Sequence, residues 1–466
     1  MWDIKIHTKC IFPFSYSDVL YDELQEKNDS WIIDEASTTE SDIYNYVRDS
    51  FLTSNDSELA DHSIKIGCAY RYAGGHLPDD FRLKYIHKDN NQEFYIREVH
   101  LVLFQTGIGI LWFSPEVEGC FSSEEDAIDF YYFLKEMARN LKHNYVFIDS
   151  DKDGAKPFFL GTWVDKIVRS ISTNITYYPS RTKVIDGKKR LIPDKCLFFH
   201  CALLNDNDSV ERTIVYLTRG YKNSYRLPYG ISSQLYSPFS NVRYYASSEG
   251  CGYYALADDD TPAFFSNLKK VNKDYFFLYL LALYQSYTLL HYSELISNKL
   301  SATRGDYKKY SSKLENSLDD ITTELNVFLA KSVYSSVSHV QHQNEYYNYI
   351  SEKLKIKENI VSVSAGIEAL NNIERNLFEE EEKKKSQLLE GGLTMVSLLA
   401  LLSAFNDVNE LLNNHIYALF PAGRPVITVI LNGFLGLVTV WLFKRLFTYW
   451  KYSSVRKSKK NQKKRS

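Results

Sequence analysis

One apolar run near the C-terminal end constrains the chain more than any other feature. The run "VITVILNGFLGLVTVWLF" (426–443) contains no charged residue, and it is bracketed by Arg424 on one side and by Lys444 and Arg445 on the other. About 20 apolar residues at ~1.5 Å per residue cross the ~30 Å hydrocarbon core of a bilayer. The run therefore predicts a membrane-spanning helix, with a buried helix of a soluble protein as the alternative.

A second apolar run lies just before the first, at about 391–412, and it contains polar residues. An Asp at mid-span costs about 2.5 to 3.5 kcal/mol, which several Leu at about −0.5 kcal/mol each can offset. At about 100° per residue, a helix here places four polar residues in a stripe roughly 60° wide: Ser403, Asp407, Glu410 and Asn414. Such a stripe favours the lining of a water-filled path. The predicted pore-lining residues are Ser403, Asn406, Asp407, Glu410, Asn413 and Asn414.

The distribution of basic residues predicts the topology. Lys383, Lys384 and Lys385 precede the first run, ten Lys or Arg follow the second, and the connecting loop carries only Arg424. Because Lys and Arg prefer the cytoplasmic side, two spans in a hairpin with both termini in the cytoplasm satisfy the pattern. We expect a multi-pass protein of the inner (plasma) membrane. The alternative is a single tail anchor with 393–412 lying on the membrane surface.

The remaining composition describes an acidic, thiol-containing body. Residues 1–390 carry 44 basic and 56 acidic side chains, whereas the tail 446–466 is basic. A negatively charged body does not favour direct nucleic-acid binding. Six cysteines without CxxC spacing, behind a start without a signal-like segment, predict free thiols in a reducing cytoplasm.

Proline usage divides the chain. Nine of the eleven prolines lie before residue 263, and the next is Pro421. We expect an α+β cytoplasmic domain (1–262) that senses a ligand, a stalk of long helices (263–390), a transmembrane hairpin (391–445) and a basic cytoplasmic tail (446–466).

Within these parts, composition predicts individual elements. The segments 93–113, 195–204, 212–221 and 242–256 are rich in β-branched and aromatic residues and predict strands. Residues 123–144 repeat apolar residues at helical spacing. The segment from Asp274 predicts a buried helix with Asp274 as its N-cap, and the stretch from Tyr347 onward predicts one long helix that continues into the first span.

Two turns offer a site for an anion. The stretch "TRGYKNSYR" (218–226) places bases around a turn, and "SSEG" (247–250) offers hydroxyls and an approachable backbone. Bases beside glycine-containing turns, within an acidic body, suit an anionic nucleotide. A solvated hairpin end is the alternative. The candidate ligand-binding residues are Arg219, Lys222, Arg226, Ser247, Ser248 and Glu249.

Other motifs predict neither a metal site nor an enzyme. The stretch 149–160 has the first acidic positions of a calcium loop but Leu160 where a bidentate Glu is required, so a plain turn is favoured. His200 and Cys201 are adjacent and would face opposite sides of a strand. His339 and His342 are one helical turn apart without a third ligand. No spacing supports a catalytic arrangement, and the metal ligands stay unassigned.

The order of parts resembles the CorA family of divalent-cation channels. A cytoplasmic body, a long helix entering a first span, a short outer loop, a second span and a basic tail follow each other over 271–466. The resemblance implies a homopentamer with the first span lining the pore, and constitutive transport of Mg²⁺, Co²⁺ or Ni²⁺. The family's Gly-Met-Asn motif is absent: the chain has "FNDVNELLNNH", in which Asn413 or Asn414 would take a similar place.

A second resemblance is to the CorA-like membrane proteins encoded beside type III CRISPR systems. The segments "FQTGIGILWF", "YASSEGCGYYAL" and "DYFFLYLLALYQSY" carry it. This resemblance implies an antiviral effector channel gated by a nucleotide messenger, S-adenosylmethionine joined to AMP (SAM-AMP), that disrupts membrane integrity on opening. A membrane-anchored scaffold is a third alternative.

Overall fold

The chain forms two compact units, residues 1–370 and 371–466. The computed structural model describes residues 5–17, 23–34, 42–51, 66–73, 82–87, 90–117, 121–139, 146–148, 156–157, 159–185, 187–222, 224–227, 230, 234–257, 268–303 and 311–411, and part of 426–444. The boundary expected near residue 262 lies outside these residues. The four-part division of the chain stays a prediction.

A large mixed β-sheet forms the centre of the first unit. Its strand order is β13-β14-β15-β12-β1-β6-β5-β4-β7-β8, with β2 and β3 attached through β5 and with β9 attached to β1. The described pairings are antiparallel except that of β12 with β15. The strands are β1 (Lys5–Tyr16), β2 (Trp31–Ile33), β3 (Gly67–Tyr72), β4 (Arg82–His87), β5 (Asn90–Phe104), β6 (Ile108–Val117), β7 (Val146–Ile148), β8 (Lys156–Pro157), β9 (Ile175–Tyr177), the separate hairpin β10 (Ser180–Ile185) and β11 (Lys188–Pro193), β12 (Leu197–Asn205), β13 (Tyr236–Phe239), β14 (Val242–Ser247) and β15 (Gly250–Ala257).

Helices cover both faces of this sheet. One core lies between the sheet and α3, α4 and α5, and a second lies between the opposite face and α6, α7, α8 and the start of α9. The described helices are α1 (Leu24–Lys27), α2 (Asn45–Phe51), α3 (Glu124–Arg139), α4 (Leu160–Val168), α5 (Val210–Arg219), α6 (Leu268–Thr303), α7 (Ser311–Ser332), α8 (Gln341–Lys353) and α9 (Ile356–Leu411). This arrangement confirms the predicted α+β class with long helices.

Helix α6 is the buried helix that the sequence predicted, but it begins earlier. All ten residues from Tyr275 to Tyr284 are buried. The helix begins at Leu268, so the prediction that Asp274 is its N-cap was wrong. Because 268–273 contain neither proline nor glycine, nothing in the sequence stops the helix from extending backwards over these residues.

The segment 212–221 is helix α5 and the beginning of a loop, where the sequence predicted a strand. Its ends decide the outcome. The backbone N–H of Ser209 donates to Oδ1 of Asn207 (2.9 Å) at the start. At the other end Gly220 adopts φ 55°, and the N–H of Tyr221 donates to the carbonyl of Tyr216 (2.9 Å). This Schellman ending stabilises a helix despite its β-branched residues.

Helices α8 and α9 are separate, although the sequence predicted one long helix. Helix α8 ends at Lys353, and α9 begins at Ile356. Between them Lys355 adopts φ 55°, and it is the one non-glycine residue with positive φ among those that the structure describes. The rest of the prediction holds, because α9 is continuous through 391–411.

Helix α9 is also the one described helix that is long and apolar enough, by length and composition, to cross a membrane. None of its most apolar window is buried. The two-helix transmembrane hairpin that the sequence predicts remains a proposal.

Candidate functional site

The predicted pore-lining residues lie on the last turns of α9 where the structure describes them. Ser403, Asn406, Asp407 and Glu410 are all exposed. Their helical conformation supports the spacing used to predict a common stripe for Ser403, Asp407 and Glu410. Asn413 and Asn414 lie outside the described residues.

Apolar side chains surround these polar residues without being buried. Most of the described large apolar side chains on this part of α9 are exposed, by 43% to 72%, whereas Leu398 and Leu401 are half-buried. The described residues of 426–444 are helical, and their large apolar side chains are likewise exposed except for the half-buried Val438. The exposed set is Leu388, Leu389, Leu393, Met395, Val396, Leu399, Val408, Leu411, Val426, Val429, Ile430, Phe434, Leu437, Val440 and Trp441.

A second candidate site lies in the first unit, around the carboxylate of Glu249. Three cations converge on it: Nζ of Lys135 and Nζ of Lys195 lie 3.2 and 2.8 Å from Oε1, and Nε of Arg219 lies 3.0 Å from Oε2. The side chains of Lys135 and Glu249 are only 8% and 14% exposed. We call these four residues the Glu249 cluster.

Four separate elements bring the Glu249 cluster together. Lys135 lies on α3, Lys195 precedes β12, Arg219 ends α5, and Glu249 lies in the turn between β14 and β15. Gly250 allows the close approach, because a Cβ there would lie 2.4 Å from the carbonyl oxygen of Thr218. Only glycine lets the turn press against the end of α5 at this distance.

Aromatic rings and a helix end complete the surroundings. The guanidinium carbon of Arg219 lies 4.3 Å from the ring centroid of Tyr221, and Nζ of Lys135 lies 5.2 Å from the same centroid. The guanidinium also donates to the hydroxyl of Tyr221, and Lys135 donates to the carbonyl of Arg219. Such cation–π contacts hold the cations against the ring.

The protonation equilibria reflect crowding of positive charge. Burial alone would raise the pKa of Glu249, but the attraction of Lys135 and hydrogen bonds from Lys195 and Tyr221 hold that pKa well below its usual range. Burial lowers the pKa of Lys135, and the attraction of Glu249 offsets this only in part because Lys195 repels the same charge. Burial and the Glu249 carboxylate raise the pKa of Tyr221. The three cations and the one carboxylate of the Glu249 cluster leave an excess of two positive charges.

The structure unites only part of the predicted ligand site. Arg219 and Glu249 are in contact, and Oγ of Ser247 accepts from the N–H of Glu249 (3.2 Å). Ser248 is exposed at the same turn. The alternative of a solvated hairpin end is wrong for Arg219, which ends a helix.

The two further bases lie after this helix end. Nζ of Lys222 lies 5.5 Å above the ring centroid of Tyr132, and the side chain is exposed. Arg226 is exposed in the stretch 224–227. Neither contacts Glu249 in the described structure, so both lie outside the Glu249 cluster.

Sequence reasoning missed Lys135, Lys195 and Tyr221. A signal for Lys135 existed, because it follows the buried residues Ala127 and Tyr131 at four-residue spacing and therefore lies on the buried face of α3. For Lys195 the sequence gives no comparable signal.

The described residues contain no group of three His, Cys, Asp or Glu that could hold a metal ion. His200 and Cys201 face opposite sides of the sheet, as expected: His200 contacts Tyr131, while Cys201 belongs to the core beside α6. His339 precedes α8 and packs on Tyr44, whereas His342 lies within α8. Residues 149–155 of the suggested calcium loop lie outside the described residues.

Comparison with known proteins gives no relative. The chain matches no protein-family model, no curated protein and no solved structure.

Proposed function

We propose that the chain is a subunit of a homo-oligomeric membrane channel of CorA-like architecture, opened by an anionic nucleotide that binds its α+β domain. The observation that carries this proposal is the exposure of the apolar side chains on the C-terminal part of α9. Leu393, Val396 and Leu399 are 62%, 64% and 64% exposed. Soluble monomers rarely expose contiguous apolar surfaces of this kind, whereas a bilayer stabilises them.

The acidic residues of α9 support a conducting role over a simple anchor. Asp407 and Glu410 lie close to the end of the described helix, where the cost of a charge in a membrane is smaller. Rings of carboxylates attract cations to a pore entrance. A ring requires several copies of the chain, which is why the proposal includes a homo-oligomer, a homopentamer by the CorA resemblance.

The Glu249 cluster supports the gated form of this channel. A partly buried site with excess positive charge suits a phosphate-bearing ligand better than a metal ion. The resemblance to proteins encoded beside type III CRISPR systems suggests SAM-AMP as that ligand and antiviral defence as the role. In this form, opening dissipates ion gradients and disrupts the membrane.

Flux measurements on the full chain in liposomes test the proposal. We expect cation efflux only after SAM-AMP is added on the side of the α+β domain. Efflux without nucleotide would instead assign a constitutive Mg²⁺, Co²⁺ or Ni²⁺ transporter. No efflux under either condition, from protein that is integrated into the bilayer, would leave a membrane-anchored scaffold.

A further inference from the structure

We propose that Glu249 is a resident counter-ion in an anion site, and that a phosphate group of a nucleotide takes the place of its carboxylate between Lys135, Lys195 and Arg219. The inference specifies the ligand site of the proposed sensor domain and therefore rests on that proposed function. In this proposal, the ion pairs of Glu249 belong to the ligand-free form of the site.

The first argument is the charge balance of the Glu249 cluster. Among the described residues, Glu249 is the one carboxylate within ion-pair distance of Lys135, Lys195 or Arg219. Buried charges are costly unless they are paired, and each buried cation needs one negative charge to neutralise it. Three cations around one carboxylate leave an excess of positive charge. A purely structural ion pair would require only one of these cations. The monoester phosphate of AMP carries about −1.5 to −2 charge at pH 7 and balances the three cations more closely.

The second argument is the arrangement of donors. Two ammonium groups share Oε1, while the guanidinium approaches Oε2 from the other side. A carboxylate offers two oxygens to these three donors, whereas the monoester phosphate of AMP offers three, one for each cation. The ring of Tyr221 beside Arg219 adds an aromatic face for the rest of a nucleotide.

The third argument concerns access. Lys195 and Arg219 are 28% and 24% exposed, so a solute can reach the cluster from the solvent. Glu249 lies in a two-residue turn next to the exposed Ser248. Its side chain can therefore leave by a local movement of this turn. Exposed Lys222 adds positive charge that attracts an anion towards the same end of α5.

Displacing Glu249 would act on a hairpin that contacts α8. The backbone N–H of Ala246 on β14 donates to the hydroxyl of Tyr349 (3.3 Å), and Sγ of Cys251 on β15 lies 3.0 Å from the hydroxyl of Tyr346. Both tyrosines belong to α8, and two residues separate its end from the start of α9. The counter-ion turn and the start of α9 are thus joined through one hairpin and one helix of the same unit.

Calorimetric titration of the full chain in detergent tests the proposal, with AMP as the probe and adenosine as its neutral counterpart. We expect AMP to bind at least tenfold more tightly than adenosine. Glu249→Gln removes the competing charge and should tighten AMP binding about tenfold or more. Lys135→Met keeps the length of the side chain and should weaken AMP binding at least tenfold.

Glu125→Gln is the matched control, because it removes one charge from an exposed position on α3 away from the cluster. It should leave AMP affinity within about twofold. AMP affinity that is unchanged or reduced in Glu249→Gln would overturn the proposal, and so would equal binding of AMP and adenosine.

A phosphate group could also come from a lipid headgroup, and vesicles distinguish the two sources. Phosphatidic acid in phosphatidylcholine vesicles should not compete with AMP. Binding of the chain to phosphatidic acid vesicles that Lys135→Met abolishes, without direct AMP binding, would overturn the nucleotide assignment. AMP binding that responds to Glu249→Gln in a chain without ion flux would refute the channel and keep the anion site, so the two proposals fail separately.

Discussion

Helices α6 and α9 are both long and rich in apolar residues, but their apolar side chains have opposite surroundings. In α6 the ten residues from Tyr275 to Tyr284 are buried between the sheet and other helices. In α9 most of the described apolar residues from Leu388 onward are exposed, with Leu393 at 62%. Of the described helices, α9 is the one apolar enough to cross a membrane, but hydropathy does not show what covers either helix. What separates them is whether the fold provides a protein surface to cover each helix.

The two helices differ in what covers their apolar side chains. Burial of α6 removes apolar area from water and stabilises the fold by roughly 25 cal/mol per Å². The exposed part of α9 gains nothing comparable from the described residues of the chain. Under the proposed function, lipid and other copies of the chain would cover it.

The largest expected effect contrasts a leucine of each helix. Leu281→Ala should lower the free energy of unfolding by about 2 to 5 kcal/mol, because it leaves a cavity at a fully buried site. Leu393→Ala should change it by less than about 1 kcal/mol, since detergent covers that side chain in both states. Denaturant unfolding of the full chain in detergent measures both. Equal losses would mean that α9 packs against protein as α6 does.

A second contrast concerns two carboxylates that each meet more than one cation. Glu249→Ala should cost about 3 kcal/mol or more, because it leaves buried cations without a partner. Glu379 is 53% exposed and lies 3.9 Å from Arg375 and from Lys383. Glu379→Ala should therefore lower the free energy of unfolding by no more than about 0.5 kcal/mol.

The same unfolding experiment checks the carboxylate contrast, with added inorganic phosphate as a further condition. Phosphate should restore part of the stability of Glu249→Ala and none of that of Glu379→Ala. Similar behaviour of the two variants would remove the distinction between a buried cluster and a solvated helix surface.

A third prediction uses pH to sharpen the contrast. His200 is buried, its Nε2 lies 3.0 Å from the carbonyl of Leu217 and its Nδ1 lies 2.9 Å from Oγ1 of Thr8. Burial lowers the pKa of His200 to about 3, from about 6.5 in the unfolded chain. Below pH 6.5 the unfolded state therefore binds a proton that the folded state does not, so stability falls as pH falls.

From pH 7 to pH 5 this single group should lower the free energy of unfolding by about 2 kcal/mol. His200→Asn should remove that part of the pH dependence, which unfolding at several pH values would show. An unchanged slope in His200→Asn would contradict the assignment of a neutral buried imidazole. Depression of the pKa of Glu249 adds a loss of the same sign, but only below about pH 4.3.

The smallest expected change in stability comes with a change in conduction. Asp407→Asn and Glu410→Gln should alter the free energy of unfolding by no more than about 0.5 kcal/mol, because both side chains are exposed. They should nevertheless reduce cation selectivity, measured as the reversal potential in a planar bilayer. Glu358→Gln in the first turn of α9 is the control. Unchanged selectivity in both variants would remove the two residues from the pore.

Much of the fold could be predicted from local patterns. The buried run of α6, the hairpin β14–β15 and the continuous helix through 391–411 each follow from periodicity and composition. Helix α5 could not be predicted in the same way. Its β-branched residues favour a strand, and its terminal interactions at Asn207 and Gly220 outweigh that preference.

The candidate anion site shows a different limit. Arg219 and Glu249 could be suggested because each lies beside a glycine-containing turn. Lys135 and Lys195 join them only because α3 and α5 cover the same face of the sheet and β12 pairs with β15. That proximity is a property of sheet topology, and no short segment of the sequence encodes it.

Lys355 joins α8 to α9 in a left-handed backbone conformation. A non-glycine residue in the left-handed conformation costs about 1 to 2 kcal/mol. Glycine at position 355 would release that strain without changing any other side chain, and it would also allow the joint a wider range of angles. The mechanical linkage between α8 and α9 can therefore be loosened by one substitution while the Glu249 cluster and the residues of the last turns of α9 stay as they are.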